Sequence, residues 1–520
     1  MDKPNIMLLA IIIITYLLAI GYLGFLGFKK TKSSKDFMIA GGNINPFVMA
    51  MSYGATFIST SAIVGFGGVA GLFGMGLLWL TLCNVVFGIF IAFVFFGKRT
   101  RKLGHTLSAH TFPELLGKRF KSNFIQGASG LIIFSAMPLY AAVVLIGAAR
   151  FLESTLDIDY NTALLVFSLV IAAYVVAGGL RGVMYTDALQ GSIMFIGMII
   201  LLVITYSKLG GITAAHAKLS ALADQVPDKL KGMGHIGWTA MPDLGSDWWW
   251  ILVSTIVLGV GIGVLAQPQL AVRFMTVKSN RELNRAVLIG SIFIVVSTGV
   301  AFIVGSLSNV YFHETLGKIA VASVPKGNPD LIIPEYINSA MPKWFVYLFM
   351  IGLLSAGMST LSSQFHAMGT SIGHDFIKKI FPNKDNTVFV TKVGIVIAII
   401  ISIILGYKLP FGIVARGTAI FFGICAATFL PVYIAALYWN GATKAGAIAS
   451  IITGFGTSIF SLLFLHIKES SAIGLCNMLF DKPALITTKP WPFVDPILIA
   501  LPLSAVSLII VSMLTKNQGE

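Results

Sequence analysis

The chain has 520 residues, 56% of them hydrophobic and 11% charged, with a mean hydropathy of +0.88. Soluble domains carry about 25% charged residues, so this composition excludes a soluble fold and fits a polytopic helical membrane protein. The net charge of +15 invites a nucleic-acid reading, but Lys and Arg cluster beside apolar runs, where they act as topological determinants.

Apolar runs of about 20 residues recur throughout. They predict thirteen spans: 6–28, 46–73, 75–97, 123–152, 161–179, 184–207, 249–272, 284–312, 343–376, 386–407, 410–438, 444–467 and 493–515. The first run is too long for a signal-peptide core and lacks a small-residue cleavage pattern, so it reads as a retained span. Basic residues follow span one (Lys29, Lys30, Lys32, Lys35), span three (Lys98, Arg99, Arg101, Lys102, Lys118, Arg119, Lys121), span seven (Arg273, Lys278, Arg281, Arg285) and span nine (Lys378, Lys379, Lys384). With thirteen spans these clusters fall on one side, which is then cytoplasmic, placing the N-terminus outside and the C-terminus inside. The two long outer loops, 208–248 and 313–342, are polar enough for short surface helices such as Thr213 to Leu222. No separate soluble domain is visible, so 1–520 reads as one integral membrane domain. Cys83, Cys425 and Cys476 have no metal or disulfide spacing.

Span two carries Ser52-Tyr-Gly-Ala-Thr-Phe-Ile-Ser-Thr-Ser61, then Gly65, Gly67, Gly68 and Gly71. Span seven carries Gly259, Gly261 and Gly263, then Gln267-Pro268. Gly and Pro weaken a helix and free backbone carbonyls, which is tolerated in a membrane where the backbone lines a cavity. The two interruptions lie five spans apart, so spans 2–6 and 7–11 form two candidate repeats of opposite orientation. Paired broken helices point to a transporter site; ordinary glycine packing is the alternative.

Span four places Tyr140 two residues after Pro138, suited either to a substrate hydrogen bond or to packing. Asp187, near the start of span six, reads as a gate or sodium-release group, or as a local ion pair with Arg181. Gln267 either contacts substrate or satisfies carbonyls freed by Pro268. Trp248-Trp-Trp250 reads as an interfacial anchor. Span nine holds the hydroxyl-rich run Ser355 to Ser363, in which Ala356, Ser359 and Thr360 share one helix face. Two hydroxyls and a carbonyl are neutral oxygen ligands that suit a monovalent hard cation better than Ca²⁺ or Zn²⁺; close helix packing is the alternative. His366 and His374 have no metal-spaced partner. Arg416, near the second turn of span eleven, has no obvious intramembrane carboxylate, leaving a substrate carboxylate or snorkelling to headgroups.

Other chemistries are missing. There is no Walker A run, HExxH or GxSxG elbow, so no enzyme activity is expected. A passive channel is expected to show a charged ring or filter repeat. A membrane sensor is expected to carry an extra soluble domain, and the sequence continues five residues past span thirteen.

The run Gly178-Gly-Leu-Arg-Gly-Val-Met-Tyr-Thr-Asp-Ala-Leu-Gln190 resembles the signature of the sodium:solute symporter family. Pro46-Phe-Val-Met-Ala-Met-Ser52, Met137-Pro-Leu-Tyr140, Gly147-Ala-Ala-Arg-Phe-Leu-Glu153, Gln267-Pro268 with Ala271-Val-Arg-Phe274, and Met358-Ser-Thr-Leu-Ser362 resemble it too. The likeness runs over roughly residues 6 to 450 and is nearer the proline and pantothenate branch than the sugar branch. It implies an all-α membrane fold with a LeuT-like core: a peripheral first helix (6–28), repeat one (46–207), inverted repeat two (249–438) and two additional helices (444–515). It implies Na⁺-coupled uptake of a small solute, with Na⁺ held by the carbonyls of Ala55, Ile58 and Ala356 and the hydroxyls of Ser359 and Thr360. The expected solute is carboxylate-bearing, bound near Tyr140, Gln267 and Arg416, with Arg181 and Asp187 in gating. The expected surroundings are a lipid bilayer, with neither nucleic acid nor an obligate protein partner. Proline-type members have an Asp two residues after the span-two Ala; here that position is Phe57.

Overall fold

The computed structural model describes residues 6–30, 34–42, 44–380 and 387–516. Lys32 and Lys384 of the basic clusters lie outside the described residues. Among the described residues the chain is helices and connecting turns with no strand; Ile44 and Val277 form an isolated bridge.

Eleven helices among the described residues are long and apolar enough to cross a membrane, against the thirteen expected. The difference lies in two places. Ser61–Thr106 is one helical run of 46 residues where the end of span two and all of span three were expected. Within it Gly74 has φ +72°, a left-handed conformation that costs glycine little, and turns the chain toward Leu78–Val85. The second place is Tyr160–Ala173, which is apolar but short. It belongs to a helical path of 49 residues, Tyr160–Lys208, which would reach about 73 Å if straight. Both ends of that path meet the same short helix, Ile332–Ala340. Ser154 and Thr155, just before its start, bond Glu335 (2.8 Å) and Asn338 (3.2 Å), while Thr205 near its end accepts from Tyr336 Oη (3.0 Å). The path therefore folds back on itself.

Burial sorts the helices. In the most apolar stretch of Val414–Tyr438 and of Lys343–Ile380, 94% and 83% of the residues are buried, against 18% in that of Met7–Gly27. Helices apolar all round belong in the centre of a bundle, so the first two form the core and the last lies at the edge. Tyr16 anchors the peripheral helix: its hydroxyl accepts from Ser355 Oγ (3.0 Å) and Gln190 Nε2 (3.1 Å).

The basic clusters converge on one end. Arg101 donates to the carbonyls of Val277 (3.1 Å) and Lys278, Arg99 to Leu437 O (3.1 Å), and Arg119 to Ala436 O (3.2 Å). Arg181 donates to Lys30 O (3.0 Å) and Ala40 O (2.7 Å) and pairs with Asp36 (3.4 Å).

Both suspected interruptions are present. Pro46–Phe57 stops at Ile58, which is extended (φ −85°, ψ 99°). Ser59 Oγ then accepts from Ala62 N (3.3 Å), an N-cap for the second half of the helix. The other helix, Asp247–Ala266, stops at Gln267 (φ −73°, ψ 116°). Pro268 explains this break, because a residue before proline is driven out of the α region, while proline itself suits the first position of the next helix. Outside the first break, a side chain on Gly68 would strike the carbonyl of Pro329; glycine lets the outer loop press onto the broken helix. Trp248 is buried and stacks on Phe73 at 4.1 Å, so within the expected anchor run this ring packs inward, while Trp249 and Trp250 are half-buried.

Candidate functional site

The first break supplies acceptors. The last carbonyls of a helix lack intrahelical donors. Ile58 N reaches Gly54 O (2.8 Å), which leaves those of Ala55 and Thr56 free for other partners. The Lys343–Thr370 helix provides them. Ser359 Oγ donates to Ala55 O (2.7 Å) and to Ala356 O (3.2 Å). Thr360 Oγ1 donates to Thr56 O (3.1 Å) and Ala55 O (3.4 Å). Both hydroxyl residues are fully buried.

The expected ligands Ala55, Ala356, Ser359 and Thr360 are thus brought together. Among the described residues no hydrogen bond links Ile58 O to Ser359 or Thr360, and Thr56 O occupies the neighbouring place instead. Its signal in the sequence was the break itself: the freed carbonyls precede the first non-helical residue. The set suits a monovalent hard cation. All its oxygens are neutral, the hydroxyls rotate to present lone pairs, and the negative end of the Pro46–Phe57 dipole points toward it.

One turn further on lies a charged pair. Asp187 Oδ2 meets the Arg273 guanidinium at 3.1 Å and accepts from Ser52 Oγ (2.6 Å). Arg273 also donates to Ser52 Oγ (2.9 Å), Ser363 Oγ (2.7 Å) and Thr56 Oγ1. Asp187 therefore pairs with Arg273 and not with Arg181, which serves Asp36 and the segment after the first helix. In the sequence Arg273 passed as one member of a basic cluster; only the fold puts it in the centre.

Beside the break lies a small chamber lined by Phe57, Ser59, Asn84, Tyr140, Thr418 and Phe422 among others. The Tyr140 phenol is within hydrogen-bonding reach of Ser59, and its ring stacks on Phe421 at 5.4 Å. Phe57, at the position where proline-type members carry Asp, presents a ring to this chamber. Asn84 was not singled out from the sequence. It is 2% exposed and its Oδ1 has no hydrogen-bond partner; an amide inside a long apolar run was the available signal.

Two expected substrate residues are engaged elsewhere. Gln267 Nε2 donates to Gly263 O (3.1 Å) and its Oε1 accepts from Gln269 (3.2 Å), so it satisfies backbone freed by the break. Arg416 has a protein carboxylate after all: it pairs with Glu469 and lies 3.1 Å from His466 Nδ1. Glu469 comes from Ile467–Ile473, outside the spans, so the partner of this arginine is not an intramembrane carboxylate. Burial would push the Glu469 carboxyl up, but His466 and Arg416 bring it down to about 2.

Two broken helices facing a buried oxygen cluster, within a bundle of apolar helices, define the class of secondary transporters. Residues 37–454 match the model of the sodium:solute symporter family, and the chain belongs to that family. It is similar to the sodium/pantothenate symporter of Haemophilus influenzae, 29% identical over 436 residues that cover 83% of this chain and 85% of the relative. The osmoregulated proline transporter OpuE of Bacillus subtilis is 25% identical over 511 residues, 97% of this chain and 94% of the relative. The fold is shared with a Na⁺-coupled sialic acid symporter solved in a substrate-bound outward-open state: TM-score 0.73, 18% identity, covering 98% of this chain and 97% of that one. The protein is a multi-pass membrane transporter and not an enzyme.

Proposed function

We propose that this transporter couples inward movement of Na⁺ to uptake of a small carboxylate-bearing solute across the plasma membrane. The observation that carries this reading is the contact of Ser359 and Thr360 with the freed carbonyls of Ala55 and Thr56. Na⁺ would be held by these oxygens and Ala356 O, with Ile58 O near the edge of the set, and would tie the first broken helix to the Lys343–Thr370 helix. The solute is assigned to the chamber beside Tyr140, Ser59 and Asn84, where its carboxylate faces the positive end of the helix restarting after Ser59. Proline and pantothenate, carried by relatives, are both of this chemical type. Arg416, held by Glu469, is left with a structural role.

Coupling follows from differential affinity: Na⁺ and solute favour the same closed arrangement of the broken helices, so each raises the affinity for the other. The two repeats, 46–207 and 249–438, rock against each other to expose the site alternately. The Asp187–Arg273 pair ties both broken helices together and must part or shift when the inner side opens, while Arg181 holds the first helix to this region. Convergence of the basic clusters on one end supports an outside N-terminus and an inside C-terminus.

Uptake into proteoliposomes tests the reading. Proline, pantothenate and short monocarboxylates are offered with an inward Na⁺ gradient, an inward proton gradient, a K⁺ gradient or none. Accumulation above the external concentration only with the Na⁺ gradient is expected. Equilibration without accumulation would mean a passive channel, and accumulation driven equally by a proton gradient would remove Na⁺ from the account.

A further inference from the structure

The first helix, Ile6–Lys29, lies at the edge of the bundle, yet one of its side chains reaches the interior. Tyr16 is buried, and its hydroxyl uses its whole hydrogen-bonding capacity. It accepts from Ser355 Oγ (3.0 Å) and Gln190 Nε2 (3.1 Å) and donates to Met358 Sδ (3.7 Å). Ser355 and Met358 belong to the Lys343–Thr370 helix; Ser355 lies one turn before Ser359 and Met358 immediately before it. Gln190 belongs to the Tyr160–Lys208 path. That path touches the first broken helix at the ion face: a methyl group added to Gly191 would come within 3.4 Å of Ala55 Cβ and 3.0 Å of Met51 Cε. Ser359 approaches Ala55 from the other helix, donating to its carbonyl at 2.7 Å. Ala55 is therefore flanked by Gly191 and Ser359. Gln190, beside the first, and Ser355, one turn from the second, meet on a single oxygen atom, Tyr16 Oη.

We infer that Tyr16 is a positioning residue for Na⁺: acting through Gln190 and Ser355, its hydroxyl holds two helices at the spacing the ion face requires and so sets Na⁺ affinity. This rests on the proposed Ser359–Thr360 sodium face and adds a remote determinant of its affinity. The face is assembled from separate helices, so its oxygens converge only if those helices are held in register; a drift of about 0.5 Å is enough to loosen such a set. Gln190 Oε1 has no hydrogen-bond partner among the described residues, so the bond to Tyr16 is what fixes this amide. A membrane interior offers no water to replace a lost bond. The peripheral helix thereby belongs to the transport machinery, although most of its surface faces outward.

Equilibrium binding of ²²Na⁺ to the purified full-length chain, read together with melting in choline, tests this. Tyr16→Phe is expected to raise the Na⁺ concentration at half-saturation by about 3–10-fold. A merely structural tyrosine would lower melting in choline and leave that concentration unchanged, which would overturn the inference. Ser355→Ala is expected to raise half-saturation by about 2–5-fold in the wild type, and by less than about twofold on top of Tyr16→Phe, because both changes remove the same junction. Equal factors in the two backgrounds would mean that Ser355 acts independently of Tyr16, and would overturn it too. If Tyr16→Phe does not fold, Ser355→Ala decides alone, and an unchanged half-saturation contradicts the junction. Failure of the sodium face itself reads differently: Ser359→Ala with Thr360→Ala would then bind Na⁺ like wild type, whatever the Tyr16 variant does. If that double variant loses affinity while Tyr16→Phe keeps it, the face stands and only the junction falls.

Discussion

Two arginines divide the molecule. Arg273 lies in the centre with no exposed surface, held by Asp187 and three hydroxyl residues from the first broken helix and the Lys343–Thr370 helix. Arg416 lies toward the other end, its side chain 16% exposed, held by Glu469 and His466 of a loop helix. Both are paired, so charge pairing alone does not mark function. What differs is the company: Arg273 bonds both to the first broken helix and to the Lys343–Thr370 helix of the proposed ion face, whereas Arg416 fastens a loop to the bundle. The partner's place in the fold, more than the arginine's depth along its own span, indicates which charge belongs to the transport machinery.

The sharpest way to break this contrast is to remove each guanidinium. Arg273→Ala leaves Asp187 unpaired in the interior and is expected to cost about 3–5 kcal/mol, whereas Arg416→Ala, closer to water, should cost about 1–2 kcal/mol. Melting in detergent followed by size-exclusion chromatography reads the difference; equal losses would erase the distinction. At the outer pair, Glu469→Gln is expected to cost about 1–2 kcal/mol. Because the carboxyl is held down at about 2, its contribution is complete above the ordinary carboxylate range and fades only as pH falls toward 2. The penalty should therefore persist at about pH 4, where an ordinary carboxylate is largely protonated; one already lost there would mean that the carboxyl is not held down. The smallest effect concerns the chamber between the two regions. Tyr140→Phe is expected to raise the half-saturation for solute by about 3–10-fold, the worth of one hydrogen bond, while Arg416→Gln leaves it unchanged. The opposite pattern would restore Arg416 as the carboxylate anchor.

The sequence reveals some of this directly. Pro268 announces the break at Gln267, and hydroxyls inside an apolar helix announce the face at Ser359 and Thr360, since a membrane interior gives such groups no water. Both signals are local. The remainder depends on contacts between distant segments. Arg273 reads as one more positive charge beside a span until the fold sets it against Asp187, 86 residues away. Glu469 becomes a partner of Arg416 only because its loop folds back over the end of that span. The span boundaries near Gly74 and after Ala173 are blurred for a different reason: apolar composition reports burial or lipid contact but not the direction of the chain. Which carbonyls are freed beside Ala55 depends on where the helix ends, and sequence patterns place a helix end only to within a few residues.

The central claim is that Na⁺ sits between the first broken helix and the hydroxyl face of the Lys343–Thr370 helix. Titrating purified protein with Na⁺ against choline while following thermal stability tests it most directly, since a ligand that binds only the folded state raises its apparent stability. Wild type is predicted to gain stability saturably with Na⁺. Ser359→Ala with Thr360→Ala, lacking two ion contacts of about 1.5 kcal/mol each, should need on the order of a hundredfold more Na⁺. A double variant that responds to Na⁺ like wild type would contradict the account.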